Sequence, residues 1–366
     1  MAKCLICGAD INENNCTEEH IILNAIGGRL KTKDLLCKTH NSVFGDDCDA
    51  ELAKQLKVFS TLFQVPRQRG KNQDIIGVTN TGKQYNLQDG RNPALAKPTV
   101  EIKDIENGGH EIHIEARTEK EALQKLKELK AKFPNWNIDL DAAMAQSKKV
   151  VEPFNDCLKF QCTFGGDLAF RSIVKTAVEY YVLKTGDRET VQPLISYLKG
   201  EENLEVCRLF TTEQPVYELL PEEVCHVIHL ESNTGDNLLY AYVEFYSTIS
   251  YVVLLSNHYE GPDVNYTYCF DLVEVKEVDK SINLGLTKDS INILHKQDEK
   301  DRANITSRSN RFMGICKLRS FEAELREIIE RDAMGSAIFT EDIINKISED
   351  VSVLMGKYLP DEKANH

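Results

Sequence analysis

The chain has 366 residues, of which 42% are hydrophobic, and its formal net charge is -14 at pH 7. This length is enough for two or three domains with buried cores. The acidic balance excludes a protein that coats nucleic acid through bulk attraction, because neutralising phosphates requires lysine and arginine. A local basic face remains compatible with it.

We expect a cytoplasmic protein. No apolar run approaches the roughly 18 residues that a transmembrane helix needs, and the first residues lack the charged and then apolar layout of a signal peptide. In a reducing compartment, cysteines serve as thiols or metal ligands instead of disulfides. Cysteines with ligand spacing are therefore candidates for metal binding.

Four residues near the N terminus have the spacing of a zinc site. Cys4 and Cys7 form one pair, and Cys37 and His40 form a second pair. A gap of two residues allows both side chains of a tight turn to face one tetrahedral ion. The sequence therefore predicts a structural Zn²⁺ held by these four residues.

A different chemistry lies between the two pairs, where Glu19 and His20 are adjacent. A carboxylate is a hard oxygen ligand, and an imidazole can act as a general base. The same segment carries Gly27-Gly28, and Asn41 directly follows the last zinc ligand. This arrangement indicates two separate metal functions within one short segment.

In their order along the chain, these motifs resemble the HNH (ββα-metal) endonucleases, in the branch where zinc-ribbon cysteines bracket the nuclease hairpin. The resemblance covers roughly the first 55 residues. It implies that His20 is the general base that activates water for attack on a phosphodiester. It also implies that Glu19, in the place usually held by aspartate, and Asn41 are ligands of a catalytic Mg²⁺ or Mn²⁺.

Three further positions depart from the family pattern: Asp34 stands where asparagine is usual, His40 replaces the commoner cysteine, and Gly45 lacks a ligand side chain. Four residues after Asn41, where many relatives carry a second histidine or asparagine ligand, this chain has Gly45. Asp46 and Asp49 follow it closely and are the candidates for a further oxygen ligand of the catalytic ion.

Several basic residues are predicted to contact the phosphates of a DNA substrate. Four of them lie inside the nuclease segment: Arg29, Lys31, Lys33 and Lys38. A second group, Arg67, Arg69 and Lys71, follows it and is equally compatible with a solvated loop.

The fold class predicted for the whole chain is α+β, with a zinc-bound ββα-metal module followed by a larger mixed body that contains an antiparallel sheet. We expect a nuclease module at 1–65, a unit of β-hairpins and a helix at 66–150, an α+β body at 151–300, and a C-terminal helical segment at 301–366.

Periodicity predicts the elements of these domains. An amphipathic helix is expected after Asp47, ending before Pro66. Further helices are expected at 118–133, 168–183, 190–198, 321–331 and 340–358, and the segment 296–304 is either a linker or an exposed helix. Strands are expected at 75–79, 84–87, 100–105, 111–116, 205–210, 224–231, 238–246, 249–255 and 266–275.

Two functions follow from these features. The first is a metal-dependent endonuclease that hydrolyses DNA and is regulated by its body. Its role as an anti-phage defence effector is inferred by analogy with proteins in which such a module is fused to a larger body. The second is a non-catalytic zinc ribbon that binds nucleic acid or protein. Glu19, His20 and Asn41 favour the enzyme, whereas Gly45 favours the binding module. For the body, the sequence is equally compatible with forming a homodimer, binding a signalling ligand or docking on a partner protein.

Overall fold

The computed structural model describes residues 2–66, 74–88, 92–105, 109–150, 154, 157–294, 299–333 and 340–358. Arg67, Arg69 and Lys71 lie outside these ranges. The chain divides into two compact units. The first unit comprises Met1–Gly70 and Cys162–Cys316, and the second unit comprises Lys71–Gln161 and Lys317–His366.

The fold is α+β with antiparallel sheets, as the sequence predicts. Within the described residues, the α-helices are α1 (Lys38–Asp46), α2 (Cys48–Gln55), α3 (Lys57–Leu62), α4 (Glu119–Lys132), α5 (Leu140–Ala145), α6 (Asp167–Thr185), α7 (Ile195–Leu198), α8 (Lys288–Ile293), α9 (Glu299–Ala333) and α10 (Glu341–Tyr358). The strands are β1 (Glu19–His20), β2 (Lys31–Thr32), β3 (Ile75–Val78), β4 (Gln84–Gln88), β5 (Asn92–Leu95), β6 (Thr99–Ile105), β7 (Gly109–Glu115), β8 (Cys207–Leu209), β9 (Cys225–Asn233), β10 (Leu238–Phe245), β11 (Ile249–Ser256), β12 (Asn265–Asp271) and β13 (Lys276–Glu277).

The N-terminal segment of the first unit is a two-stranded hairpin, β1 with β2, followed by α1, α2 and α3. The sequence predicts one amphipathic helix after Asp47, but the structure has two segments there, α2 and α3. The interruption is at Leu56, whose ψ of 5° lies outside the helical region. The apolar stripe continues through the bend, because Leu52, Leu56 and Phe59 are all buried.

A six-stranded antiparallel sheet forms the centre of the first unit, with the strand order β13-β12-β9-β10-β11-β8. This confirms the predicted antiparallel sheet and adds the short β13. Helix α6 packs against β9, β10 and β11, and it ends at Gly186, which has a left-handed φ of 73°. Its central residues are buried because it lies between this sheet and the N-terminal segment, where α2 also contacts it.

The second unit contains the two predicted hairpins, as β3 with β4 and as β6 with β7. Strand β5 was not predicted, because its sequence Asn-Pro-Ala-Leu contains a proline, which interrupts a strand pattern. The helix expected at 118–133 is α4, and the side chain of Thr118 caps it. The segment 296–304 is the start of α9 from Glu299 onward.

None of the helices in the described ranges has both the length and the apolar composition required to span a membrane.

Candidate active site

The four predicted zinc ligands come together in the structure. The ligand atoms of Cys4, Cys7, Cys37 and His40 all lie within 4.8 Å of one another. Nδ1 of His40 is 3.3 Å from Sγ of Cys37 and 3.7 Å from Sγ of Cys4. Cys37 precedes the first residue of α1 and His40 lies in its first turn, so the start of one helix fixes both. Three sulfurs and one imidazole nitrogen in one cluster are a donor set that suits zinc.

The local backbone favours the thiolate that a metal would bind. Burial alone would raise the pKa of Cys4, but backbone hydrogen bonds from Cys37, Cys7 and Ile6 outweigh it, and the pKa of Cys4 is lowered from its ordinary value. Thiolate, and not thiol, is the metal-binding form of cysteine. The lowered pKa favours the metal-binding form of Cys4. At Cys7, a backbone hydrogen bond from Ala9 lowers the pKa, but burial and the neighbouring thiolates of Cys4 and Cys37 outweigh it, and the pKa of Cys7 is raised.

The second predicted site lies in an open cleft beside the hairpin. Glu19, His20, Asn41, Gly45 and Asp49 are among the residues that line it. Glu19 pairs with Thr32 and His20 with Lys31 across the hairpin. Because successive strand residues face opposite sides, the Glu19 side chain turns inward and is 3% exposed, whereas His20 is only half-buried.

Asn41 is positioned by the hairpin that carries the other two residues. Its Nδ2 donates to the carbonyl oxygen of Glu18 at 3.2 Å and to Oγ1 of Thr17 at 3.4 Å. These bonds use the amide nitrogen and leave the amide oxygen of Asn41 as the group that can bind a cation. Gly45 contributes no side chain to the cleft, and the space beside it is open.

The Gly27-Gly28 turn allows the hairpin to fold against itself and against the sheet. A Cβ atom on Gly28 would lie 1.9 Å from the carbonyl oxygen of Ile22, and Gly27 has a φ of 98°. The carbonyl oxygen of Ile26 accepts hydrogen bonds from Nε2 of His226 and from the hydroxyl of Tyr246, each at 2.8 Å. The turn is thereby fixed to the central sheet of the first unit.

Sequence reasoning missed a buried lysine at this site. Nζ of Lys175, on α6, lies 2.5 Å from Oε1 of Glu19 and 3.0 Å from Oδ2 of Asp49. The other carboxylate oxygen of Asp49 accepts a 2.5 Å hydrogen bond from Oγ of Ser172. The available signal was a lysine inside the apolar stripe of α6, between Val174 and Ala177, where a charge has no solvent to face.

Burial and neighbouring charges shift the pKa values of Lys175 and Glu19 in opposite directions. Burial would lower the pKa of Lys175, but the carboxylates of Glu179, Asp49 and Glu19 outweigh it and raise the pKa well above its ordinary value. Burial raises the pKa of Glu19, and Lys175 opposes that shift. Burial also raises the pKa of Glu179 well above its ordinary value. Lys175 is therefore charged at neutral pH, with Glu19 and Asp49 as its hydrogen-bonded partners.

Burial also acts on His20, and here it favours the neutral form. Loss of solvent around the imidazole lowers its pKa from the ordinary 6.5, and Glu18 opposes that shift. A neutral imidazole can accept a proton.

None of the four predicted phosphate-binding residues in the nuclease segment is among the residues that line this cleft. Lys31 pairs with Glu18 at 2.8 Å, and a guanidinium nitrogen of Arg29 donates to the side chain of Asn24 at 2.9 Å. Lys33 and Lys38 are exposed to solvent. Asp46, the other candidate oxygen ligand, is also exposed and is not among the residues that line the cleft.

Comparison with known families decides what this segment is. Residues 4–57 match the model of a family described as HNH endonuclease. These residues are an HNH module. The match supports a metal-dependent nuclease that acts on nucleic acid, and it spans the zinc cluster as well as every residue named above for the cleft except those of α6 and the central sheet. No curated protein and no solved structure matches the chain.

Proposed function

We propose that the protein is a metal-dependent endonuclease that hydrolyses phosphodiester bonds of DNA in the cleft of its HNH module. The observation that carries this proposal is that Glu19, His20 and Asn41 line one cleft in a module that also holds the Cys/His cluster. A ribbon that only binds nucleic acid has no need for a base and two oxygen ligands in the same cleft.

His20 has the role of general base in this proposal. Its imidazole is half-buried at the cleft, and its lowered pKa keeps it neutral at physiological pH. A neutral imidazole can take a proton from a water molecule as that water attacks the scissile phosphorus, and such positioned bases typically contribute about 10² to 10⁴ in rate.

Glu19 and Asn41 would hold a Mg²⁺ or Mn²⁺ ion in the cleft. When bound, such an ion orients the scissile phosphate and offsets the charge that develops on the leaving oxygen. Lys175 contacts only Oε1 of Glu19, so that residue keeps a second carboxylate oxygen. Both carboxylate oxygens of Asp49 already accept hydrogen bonds from α6. This difference supports Asn41 over Asp49 as the partner of Glu19.

The Cys4, Cys7, Cys37 and His40 cluster would hold a structural Zn²⁺. All four donors belong to the protein, so no position stays open for water or substrate, as is usual for zinc that stabilises a fold. Arg29, Lys31, Lys33 and Lys38 would contact the phosphates on either side of the cut.

Nicking of supercoiled plasmid DNA tests this function. We expect the parent protein to nick the plasmid only with added Mg²⁺ or Mn²⁺, and His20→Ala to be inactive. His258→Ala is a matched control, because His258 is an exposed histidine of the same unit and does not line the cleft. If parent and His20→Ala bind DNA equally and neither nicks it, the function is that of a zinc-ribbon binding module.

We extend the proposal to the body, which would regulate cleavage. It would do so by forming a homodimer or by binding a partner protein, and the whole chain would be an effector of anti-phage defence. The regulatory role is supported by the buried hydrogen bonds that join α6 and the central sheet to the HNH module. Phage plating on bacteria that express the parent or His20→Ala tests the defence role. Equal plaque numbers on both strains would contradict it.

A further inference from the structure

Lys175 is the most deeply buried charge that contacts the cleft residues. Its side chain is 1% exposed, and its ammonium group contacts Glu19 and Asp49. A carboxylate oxygen of Glu179 lies 3.8 Å from the same ammonium nitrogen. Lysines are almost never this buried unless they are paired. The partners here are two carboxylates that both line the cleft.

Lys175 belongs to a row of polar side chains on one face of α6. Oγ of Ser172 donates to Asp49, and Oγ1 of Thr176 donates to the carbonyl oxygen of Ile21 at 2.8 Å. Residues at positions i, i+3 and i+4 share one helix face. The row therefore holds Glu19, which precedes the proposed base, and the backbone of Ile21, which follows it.

A structural ion pair is the simpler interpretation of a buried lysine, and two features distinguish this one. First, the hydrogen bond to Glu19 uses one carboxylate oxygen and leaves the other, which fits a carboxylate that must also bind a cation. Second, the lysine joins two acidic residues that are separate in the sequence but line the same cleft as His20 and Asn41. An ion pair that only stabilises the fold would not need to lie there.

We propose that Lys175 is a positioning residue of the nuclease centre, which holds Glu19 through Oε1 and so presents its remaining oxygen to the catalytic cation. This inference rests on the proposed function. Lys175 also supplies the positive charge that balances Glu19 and Asp49 before a divalent ion binds. The body is then part of the active site, and the HNH module does not contain all of it.

The charge of Lys175 predicts an unusual response to its removal. Without the ammonium group of Lys175, Glu19 and Asp49 lose the positive charge beside them, and a divalent ion experiences less repulsion in the cleft. We therefore expect tighter binding of the ion together with slower cleavage, because Glu19 is no longer held in place. A lysine whose charge lay away from the ligands of the cation would leave metal binding unchanged.

Lys175→Met tests the proposal, because methionine is apolar and similar in length to the lysine stem. The control is Tyr181→Phe on the same helix, which removes a partly buried hydrogen bond to Asp187 and leaves the cleft unchanged. Each protein is loaded with zinc, Mn²⁺ binding is followed by electron paramagnetic resonance, and plasmid nicking is measured at saturating Mn²⁺. We expect Lys175→Met to retain its zinc, to bind Mn²⁺ about tenfold more tightly, and to nick about 10- to 100-fold more slowly. Tyr181→Phe should match the parent in both measurements.

Unchanged or weaker Mn²⁺ binding in folded Lys175→Met would overturn the proposal, as would nicking within twofold of the parent. If Lys175→Met does not fold, Lys175→Gln decides, because it removes the charge and keeps a polar group beside Glu19. We then expect nicking to fall by about two- to tenfold with full zinc content, and nicking equal to the parent would overturn the proposal. If the parent itself nicks no DNA, the proposed function fails, and the Mn²⁺ measurements alone decide the role of Lys175.

Discussion

Nε2 of His226, in the middle of the central sheet, lies 2.8 Å from the carbonyl oxygen of Ile26 in the HNH module. The other ring nitrogen, Nδ1, lies 3.3 Å from the backbone N–H of Tyr246, which donates to it. The ring is therefore neutral, with its proton on Nε2. Its complete burial lowers its pKa to about 4.

This neutral histidine predicts a loss of stability in acid. The folded-state pKa of about 4 lies below the ordinary value of 6.5, so between these values the unfolded chain binds a proton that the folded chain does not. Stability is then full above about pH 6.5 and falls by up to about 3 kcal/mol as the pH drops towards 4. Chemical denaturation at several pH values measures this, and the decrease should be smaller in His226→Gln. An identical pH dependence in both proteins would show that His226 is not its source.

The Gly27-Gly28 turn should tolerate no side chain at its second position. Gly28→Ala places a Cβ atom against the carbonyl oxygen of Ile22, and we expect the free energy of unfolding to fall by about 3 kcal/mol or more. Gly45→Ala is the matched control for stability. Apart from its chain neighbours and the backbone of its own helix, no atom lies within 4 Å of the new Cβ at that position, so stability should stay equal or rise by up to about 1 kcal/mol. Similar effects of the two substitutions on denaturant midpoints would contradict this account of the turn.

Removal of one ligand should release the zinc. We expect Cys37→Ser to lose most of its zinc, measured by elemental analysis, and the HNH module to unfold, since structural zinc contributes on the order of 10 kcal/mol to small zinc domains. Cys16→Ser is the control. Cys16 is exposed, its backbone pairs with that of Cys37, and its sulfur is not part of the cluster. Full zinc content in Cys37→Ser would refute the assigned ligand set.

Asn41 and Asp49 should respond differently to substitution. Asn41→Ala removes the proposed oxygen ligand, and we expect plasmid nicking to fall by about 10- to 100-fold with weaker Mn²⁺ binding. Asp49→Asn keeps the shape of a side chain whose oxygens already bond to Ser172 and Lys175, so Mn²⁺ affinity should change less. Normal nicking by Asn41→Ala together with an inactive Asp49→Asn would reverse the ligand assignment.

The parts of the site formed by residues close together in the sequence could be predicted from the sequence alone. Cys4 to Cys7 and Cys37 to His40 are short-range spacings, and each pair is shaped by its own turn. The central strands were also predictable, because β-branched and aromatic runs such as Leu238–Phe245 need a sheet around them. Their boundaries differ from the predicted ones by only a few residues.

The contribution of α6 was not predictable in the same way. Lys175 is 156 residues from Glu19 in the sequence, and no periodicity connects the two positions. A helical stripe indicates which face is buried but not which element covers it, so the sequence alone does not show what Lys175 contacts. The hydrogen bond between His226 and Ile26 likewise depends on tertiary packing alone, because 200 residues separate the two in the sequence.

The rate at which His20→Ala nicks supercoiled plasmid, relative to the parent, tests the nuclease assignment most directly. With added Mg²⁺ or Mn²⁺ we expect the variant to be slower by about 10² to 10⁴, at unchanged zinc content and DNA affinity, because the zinc cluster and the basic residues are untouched. His20 is half-buried at the cleft, so its removal should cost little stability. A variant that nicks as fast as the parent, or a parent that nicks nothing with either ion, would contradict the assignment.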